Sequence, residues 1–145
     1  MPDPASIETL RAACDTVAPA TDGMPGALDL RADEHAIDML EQGLPGITDM
    51  AAALLNAYAS EVVLGTPFAD LSHEDRSKVL RAMSNDESQD IRDAVDAIIV
   101  FSCGGMFSEW SGYDRATGTV TPPPTWAAVG FPGPSHGHPN YREDI

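Results

Sequence analysis

The amino-acid sequence predicts an all-α protein: a small bundle of about five helices followed by a long irregular arm rich in proline and glycine. Apolar residues recur at helical spacing through residues 1–110, and no part of this range alternates with a period of two. Residues 111–145 contain 11 glycines and prolines among 35 positions, a content that rarely supports an independently packed fold. We therefore divide the chain into a helical body, residues 1–110, and an extended partner-docking arm, residues 111–145.

The first two helices are predicted from their caps and stops. Ser6 is a suitable N-cap for the first helix, which ends before Pro19. Its inward face contains Ile7, Leu10, Cys14 and Val17. Residues 20–29 are rich in turn formers, and a short second helix follows at 33–42 with Gly43 as its stop.

Three further helices complete the predicted body. Pro45 is placed to open the third, which runs to Gly65. Ser72 is the expected N-cap of the fourth, and the fifth extends from about Glu87 to Phe107. Apolar residues at helical spacing face the core in all three helices: Ile47, Met50, Leu54, Leu55, Tyr58, Val62, Val79, Leu80, Met83, Ile91, Val95, Ile98 and Phe101.

The charge and the apolar pattern restrict the possible partners. The formal net charge is −15, from 23 acidic residues against 8 lysines and arginines. Such a surface would repel a phosphate backbone, so we expect no nucleic-acid partner. The longest apolar stretch, AIIVF at 97–101, is far shorter than the roughly 20 residues of a membrane span. Because no signal peptide or twin-arginine motif is present, we expect a cytoplasmic protein without a direct membrane span.

The composition of the arm predicts that it lies on another surface. Its 35 residues contain four aromatic side chains, whereas the 110 before them contain five. Unstructured tails are normally poor in aromatic residues, because these side chains are costly to leave in water. The arm carries a net charge of −1, which leaves −14 on the body. Two surfaces are possible at this point: the chain's own body and a larger partner.

Motifs of catalysis or cofactor binding are absent from the sequence. There is no dinucleotide or phosphate-binding loop, no HExxH, no CxxC and no GxSxG. His136 and His138 would point the same way in an extended chain and could meet one metal, but two ligands do not complete a site. Hydrogen bonding at an interface is the alternative role for them. Cys14 and Cys103 could form a disulfide as a pair, but we expect two buried apolar thiols.

Two motifs carry a resemblance to a known family. The first is F-x-x-L-x-x-x-x-R, formed by Phe68, Leu71 and Arg76. The second is W-x-x-x-G-F-P-G, formed by Trp126, Gly130, Phe131, Pro132 and Gly133. Together with LRAACDTVAP near the start and CGGMFSEWSGYD before the arm, they make the chain resemble the gluconate 2-dehydrogenase subunit 3 family from about residue 7 to 134.

This resemblance implies an accessory subunit with no catalytic residue and no cofactor of its own. Its partner would be a large oxidoreductase of the glucose–methanol–choline (GMC) type, which carries FAD and oxidises a CH–OH group of a sugar, glycoside or polyol. Small subunits of this family support the folding and stability of the large one. The arm, together with the last residue of the body, would bind that partner through a set of residues rich in aromatic side chains: Trp110, Tyr113, Trp126, Gly130, Phe131, Pro132, His136, His138 and Tyr141.

Two other functions are possible on the sequence alone. The chain could be a free-standing acidic binding or mimic protein that competes for a basic surface, although the even distribution of acids at helix starts disfavours this. It could also be a small metal-binding protein that uses the terminal histidines. A copurifying flavoprotein, a basic partner or a stoichiometric metal would distinguish the three hypotheses.

Overall fold

The structure is a computed structural model that describes residues 1–133, and within this range it is a helical bundle with one small hairpin. The helices are α1 Pro4–Val17, α2 Ala32–Gly43, α3 Ile47–Val62, α4 His73–Ser84, α5 Gln89–Phe107 and α6 Pro124–Ala128. Strands β1 Tyr113–Asp114 and β2 Thr119–Val120 pair antiparallel. Single 3-10 turns lie at Phe68–Asp70 and Glu109–Gly112. The predicted all-α fold is confirmed.

The start of α1 differs from the prediction. The helix begins at Pro4, and the Asp3 carboxylate accepts a hydrogen bond from the Ala5 amide at 2.8 Å. Proline suits the first helical position, because the N–H group that it lacks would have had no acceptor within the helix. Aspartate is as good an N-cap as serine. Ser6 therefore lies inside the helix. The amide of Asp3 also donates to Asp49 at 2.9 Å, which joins the start of α1 to α3.

The starts of α3 and α4 show two kinds of side-chain cap. Glu41, near the end of α2, accepts hydrogen bonds from the amides of Gly46 and Thr48 at 3.0 and 2.9 Å. These donors lower the pKa of Glu41, so its charge persists beside the positive end of α3. Ser72 is the N-cap of α4 as predicted, and its hydroxyl accepts from the Asp75 amide at 3.1 Å.

Two apolar clusters form the core. The larger lies among α1, α3, α4 and α5, and its fully buried side chains include Leu10, Leu55, Phe68, Val79, Met83 and Val95. The smaller lies between α1, the loop after it, α2 and α5, and comprises Cys14, Ala27, Leu30, Ala32, Ala36 and Met106. Phe101 packs against both clusters, so α5 is shared by them.

Helices α2 and α5 pack tightly against each other at Gly105. A Cβ atom at this position would lie 3.0 Å from the Cα of Ala32 and 3.0 Å from the Cβ of His35. A larger side chain at position 105 would therefore force the two helices apart. The His35 ring spans the same contact, with its Nδ1 2.9 Å from the carbonyl oxygen of Phe101.

The F-x-x-L-x-x-x-x-R motif forms the corner between α3 and α4. Phe68 is fully buried, and its amide donates to the Asn56 side chain at 2.8 Å. Leu71 is also buried. The chain can therefore turn from α3 into α4 while both apolar side chains of the motif enter the core.

Arg76 links this corner to α1 by hydrogen bonds. Its Nε donates to the carbonyl oxygen of Leu71 at 3.1 Å, and its Nη1 donates to that of Ala12 at 3.1 Å. Asp15 lies 3.4 Å from the same guanidinium, whose side chain is only 16% exposed. One planar guanidinium thus supplies donors to two separate segments, which a lysine ammonium cannot reproduce with the same geometry.

We predict that Arg76→Lys lowers the free energy of unfolding by about 1–3 kcal/mol, because at least one partly buried carbonyl loses its donor. Thermal unfolding followed by circular dichroism measures the loss. Arg81→Lys is the matched control, since Arg81 is exposed on the same helix. Equal melting temperatures for the two variants would contradict the role given to Arg76.

Candidate partner-docking surface

The described part of the arm folds back onto the end of α5. The buried Thr125 hydroxyl donates to the carbonyl oxygen of Met106 at 2.7 Å. The indole Nε1 of Trp126 donates to that of Phe107 at 2.6 Å. The last carbonyls of a helix have no partner within the helix, so these side chains satisfy groups that would otherwise need water. Residues 124–126 are thereby held on the body.

The arm contains more regular structure than its composition predicts. Pro124 occupies the first position of α6, where the ring pre-sets the helical φ angle. Pro123 before it is fully buried. The hairpin is closed by Asp114, which accepts hydrogen bonds from the Thr117 hydroxyl and the Ala116 amide, both at 2.8 Å. These donors lower the pKa of Asp114 and keep the turn residue charged.

The W-x-x-x-G-F-P-G motif forms a turn that sets one aromatic ring against another. Trp126 and Phe131 meet edge to face, with ring centroids 5.0 Å apart, and the Phe131 amide donates to the Trp126 carbonyl oxygen at 2.7 Å. Gly130 and Gly133 have φ angles of 70° and 93°, a region that favours glycine. A Cβ on Gly133 would also lie 3.4 Å from the Trp126 ring.

This turn encloses a concave surface, called here the arm cradle. Its volume is about 600 Å³, and its lining is mainly proline, aromatic and aliphatic: Val120, Pro122, Pro123, Trp126, Phe131 and Pro132. Glu109 is the one charged residue in the lining among residues 1–133. The cradle thus presents rigid apolar groups in a protein whose remaining surface is strongly acidic.

Several apolar side chains at the arm cradle are exposed to solvent. Phe131 is 46% exposed although its ring packs against Trp126. Val120 in the cradle lining is exposed as well, and so are Val129 at the end of α6 and Phe107 at the end of α5. Contiguous exposed apolar groups with a polar surround are typical of a surface that binds another protein.

Trp110 joins the hairpin to α2 beside the cradle. Its indole Nε1 donates to the carbonyl oxygen of Arg31 at 2.9 Å, and its ring meets that of His35 edge to face at 5.4 Å. The Arg115 guanidinium lies 4.9 Å from the centre of the indole, within the range of a cation–π contact. Trp110 therefore helps to hold the hairpin against the helical body.

Arg31 completes this junction from the start of α2. Its φ angle of 54° is left-handed, and its Nη2 donates to the carbonyl oxygen of Tyr113 at 3.2 Å. Arg115 lies 3.7 Å from Asp38 on the same helix. The ion pair is exposed, so the indole contacts and the two carbonyl hydrogen bonds contribute more to the position of the hairpin.

The structure places the predicted partner-binding residues in two neighbouring groups. Trp126, Gly130, Phe131 and Pro132 lie together in the motif turn, three of them lining the cradle. Trp110 and Tyr113 line a smaller depression of about 360 Å³, which shares Glu109 and Val120 with the cradle. The remaining three, His136, His138 and Tyr141, lie outside the described residues.

Three exposed residues of this surface did not emerge from the sequence. The sequence predicts Phe107 only as the last residue of the fifth helix, and the structure leaves its side chain exposed there. Val120 and Val129 stand alone among breakers and polar residues, so no periodic signal indicates that they share a surface with Phe131. Their proximity depends on how α6 sits against α5.

Cys14 is a titratable group in the smaller core cluster. Burial raises the pKa of the Cys14 thiol to about 11, which makes a reactive thiolate scarce at neutral pH. In residues 1–133, no three His, Cys, Asp or Glu side chains gather in a way that could hold a metal ion. Over the same residues, no helix is long and apolar enough to cross a membrane.

Comparison with known proteins gives one match. The model of the family described as gluconate 2-dehydrogenase subunit 3 matches residues 4–133, a range that contains both sequence motifs and the arm cradle. No curated protein and no solved structure matches the chain. The protein therefore belongs to the gluconate 2-dehydrogenase subunit 3 family, and with it to the accessory subunits of dehydrogenase complexes.

Proposed function

We propose that this chain is the non-catalytic small subunit that assembles and stabilises a GMC-type flavoprotein. The large subunit would carry FAD and oxidise a CH–OH group of a sugar, glycoside or polyol. The observation that carries the proposal is the arm cradle, an exposed apolar surface within the range matched by the family model. The cradle would be where the large subunit docks.

The rigidity of the arm cradle supports docking. Thr125 and Trp126 are bonded to the end of α5, and the ring of Phe131 is fixed against that of Trp126. A surface that is already ordered loses little conformational entropy when a partner binds. Aromatic anchors in such a surface commonly supply most of the binding free energy.

Trp126 and Phe131 would have different roles in this docking. The indole N–H of Trp126 is already bonded to Phe107, so Trp126 positions the cradle from within. Phe131 is the more exposed ring and the better candidate for an anchor that enters a pocket of the large subunit. Gly130 and Pro132 would hold its backbone in place on either side.

The distribution of acidic groups weakens the alternative of an acidic mimic. Asp3, Glu41 and Asp114 each accept hydrogen bonds from backbone amides at helix starts or turns. Other acids lie in the first turns of α2 and α4, where they complement the helix dipole. Part of the negative charge therefore has a local structural use that requires no basic partner.

We predict that Phe131→Ala weakens binding of the GMC-type flavoprotein from the same organism by more than tenfold. Truncating a buried aromatic anchor commonly costs about 2–4 kcal/mol, and each 1.4 kcal/mol corresponds to a factor of ten. The dissociation constant is measured by biolayer interferometry with the purified subunits. Leu64→Ala is the control, because Leu64 is 91% exposed in the loop after α3. Unchanged binding of Phe131→Ala with intact helicity would contradict the anchor role.

We also predict that the large subunit expressed alone contains less FAD and melts at a lower temperature than the complex. A protein that binds only the native form stabilises it by mass action. Flavin absorbance per protein and the melting temperature measure both effects. A large subunit with full flavin content and the same melting temperature in the absence of this chain would refute the proposed function.

A further inference from the structure

The second half of α5 is apolar around its whole circumference. Its sequence over residues 97–107 is AIIVFSCGGMF, eleven positions without a charged residue. One face is buried in the two core clusters through Ile98, Ser102, Gly105 and Met106. A helix that is apolar on all sides is typically buried on all sides. Within residues 1–133, three apolar side chains of the opposite face are exposed: Ile99, Val100 and Phe107.

The uncovered face is called here the outer α5 stripe. It consists of Ile99, Val100, Cys103 and Phe107, whose spacings of three and four residues place them along one side of the helix. Val100 is 61% exposed, Ile99 and Phe107 are also exposed, and Cys103 is half-buried. The expectation that Cys103 is a buried thiol is therefore wrong, because its helical position is turned away from the core.

The outer α5 stripe ends beside the arm cradle. The carbonyl oxygen of Phe107, the last residue of the stripe, accepts the hydrogen bond from the Trp126 indole. Trp126 in turn packs against Phe131. The end of the stripe therefore lies next to the motif turn of the arm.

We propose that the outer α5 stripe is a second part of the surface that binds the catalytic subunit. This inference rests on the proposed function, because the occupant is the same large subunit. The large subunit would cover Val100 and Phe107 with an apolar ridge, and it would fill the arm cradle at the same time. The stripe belongs to the helical body, so binding would not be confined to the arm.

The charges at the two ends of this surface indicate the chemistry of the ridge. Asp96 lies one turn before Val100, and Glu109 lies two residues after Phe107; both are exposed. Neither makes an ion pair with a basic side chain among residues 1–133. A ridge flanked by lysine or arginine would be complementary to both ends.

The same charges disfavour a second copy of this chain as the occupant. Each copy carries a formal charge of −15, and a symmetric contact along the stripe would bring Asp96 and Glu109 of both copies together. Like charges at the rim of an apolar contact oppose association. A partner with basic groups beside its apolar ridge avoids this repulsion.

The native cysteines allow the proposal to be tested without altering the surface. The chain has two, and Cys14 is fully buried with its pKa raised to about 11, so it serves as the unreactive internal reference. Iodoacetamide labelling of Cys103 is followed by peptide mass spectrometry in the free chain and in the complex with the GMC-type flavoprotein. We expect the labelling rate of Cys103 to fall at least tenfold in the complex.

A matched pair of variants provides the second measurement. Val100→Asp and Leu64→Asp each place one negative charge at an exposed aliphatic position, one on the stripe and one in the loop after α3. We expect Val100→Asp to weaken binding of the flavoprotein at least tenfold and Leu64→Asp to leave it unchanged. Circular dichroism checks that both variants keep their helices, and Cys103 labelling of the unaltered complex remains decisive should Val100→Asp unfold.

The remaining outcomes distinguish this inference from the proposed function. If the complex forms but Cys103 reacts at its free rate and Val100→Asp binds normally, the inference is wrong and docking through the arm stands. If the unaltered chain binds no flavoprotein, both proposals fail. If light scattering finds that the isolated chain is a dimer with Cys103 protected, the stripe is an interface between copies and the inference is overturned.

Discussion

The last carbonyl groups of α5 determine where the candidate docking surface lies. The carbonyl oxygens of Met106 and Phe107 accept hydrogen bonds from Thr125 and Trp126, nineteen residues further along the chain. Since α6 has only five residues, its own helical bonds could not keep it folded in isolation. These two contacts therefore tie the motif turn, with Phe131, to the rigid end of the longest helix, and the arm cradle takes its shape from them.

Helix α5 joins the core of the bundle to the proposed interface. Gly105 allows α2 to approach so closely that His35 and Trp110 meet beside the cradle. The inner side chains of α5 hold the two core clusters, while its outer side chains are exposed beside the arm. A partner bound at this surface would be sensitive to the stability of the whole bundle, because the same helix supports both.

The bundle could largely be predicted from the sequence, because helical periodicity and the cap at Ser72 are local signals. The start of α1 was misplaced because aspartate before proline and a nearby serine are both good caps, and geometry decides in favour of Asp3. The order within the arm could not be predicted, since α6 depends on contacts with distant carbonyls. For the same reason, the sequence could not tell that the Trp126 N–H is bonded inward while Phe131 is the more exposed ring.

We propose that the end of α5 and the arm bound to it together form the surface that receives the catalytic subunit. Amide hydrogen–deuterium exchange of the chain, free and in complex with the flavoprotein, tests this most directly because it maps the whole protein at once. We expect slower exchange over residues 97–107 and 113–133 in the complex, with α3 and α4 unchanged. Slower exchange over α3 and α4, with no change at the arm, would contradict it.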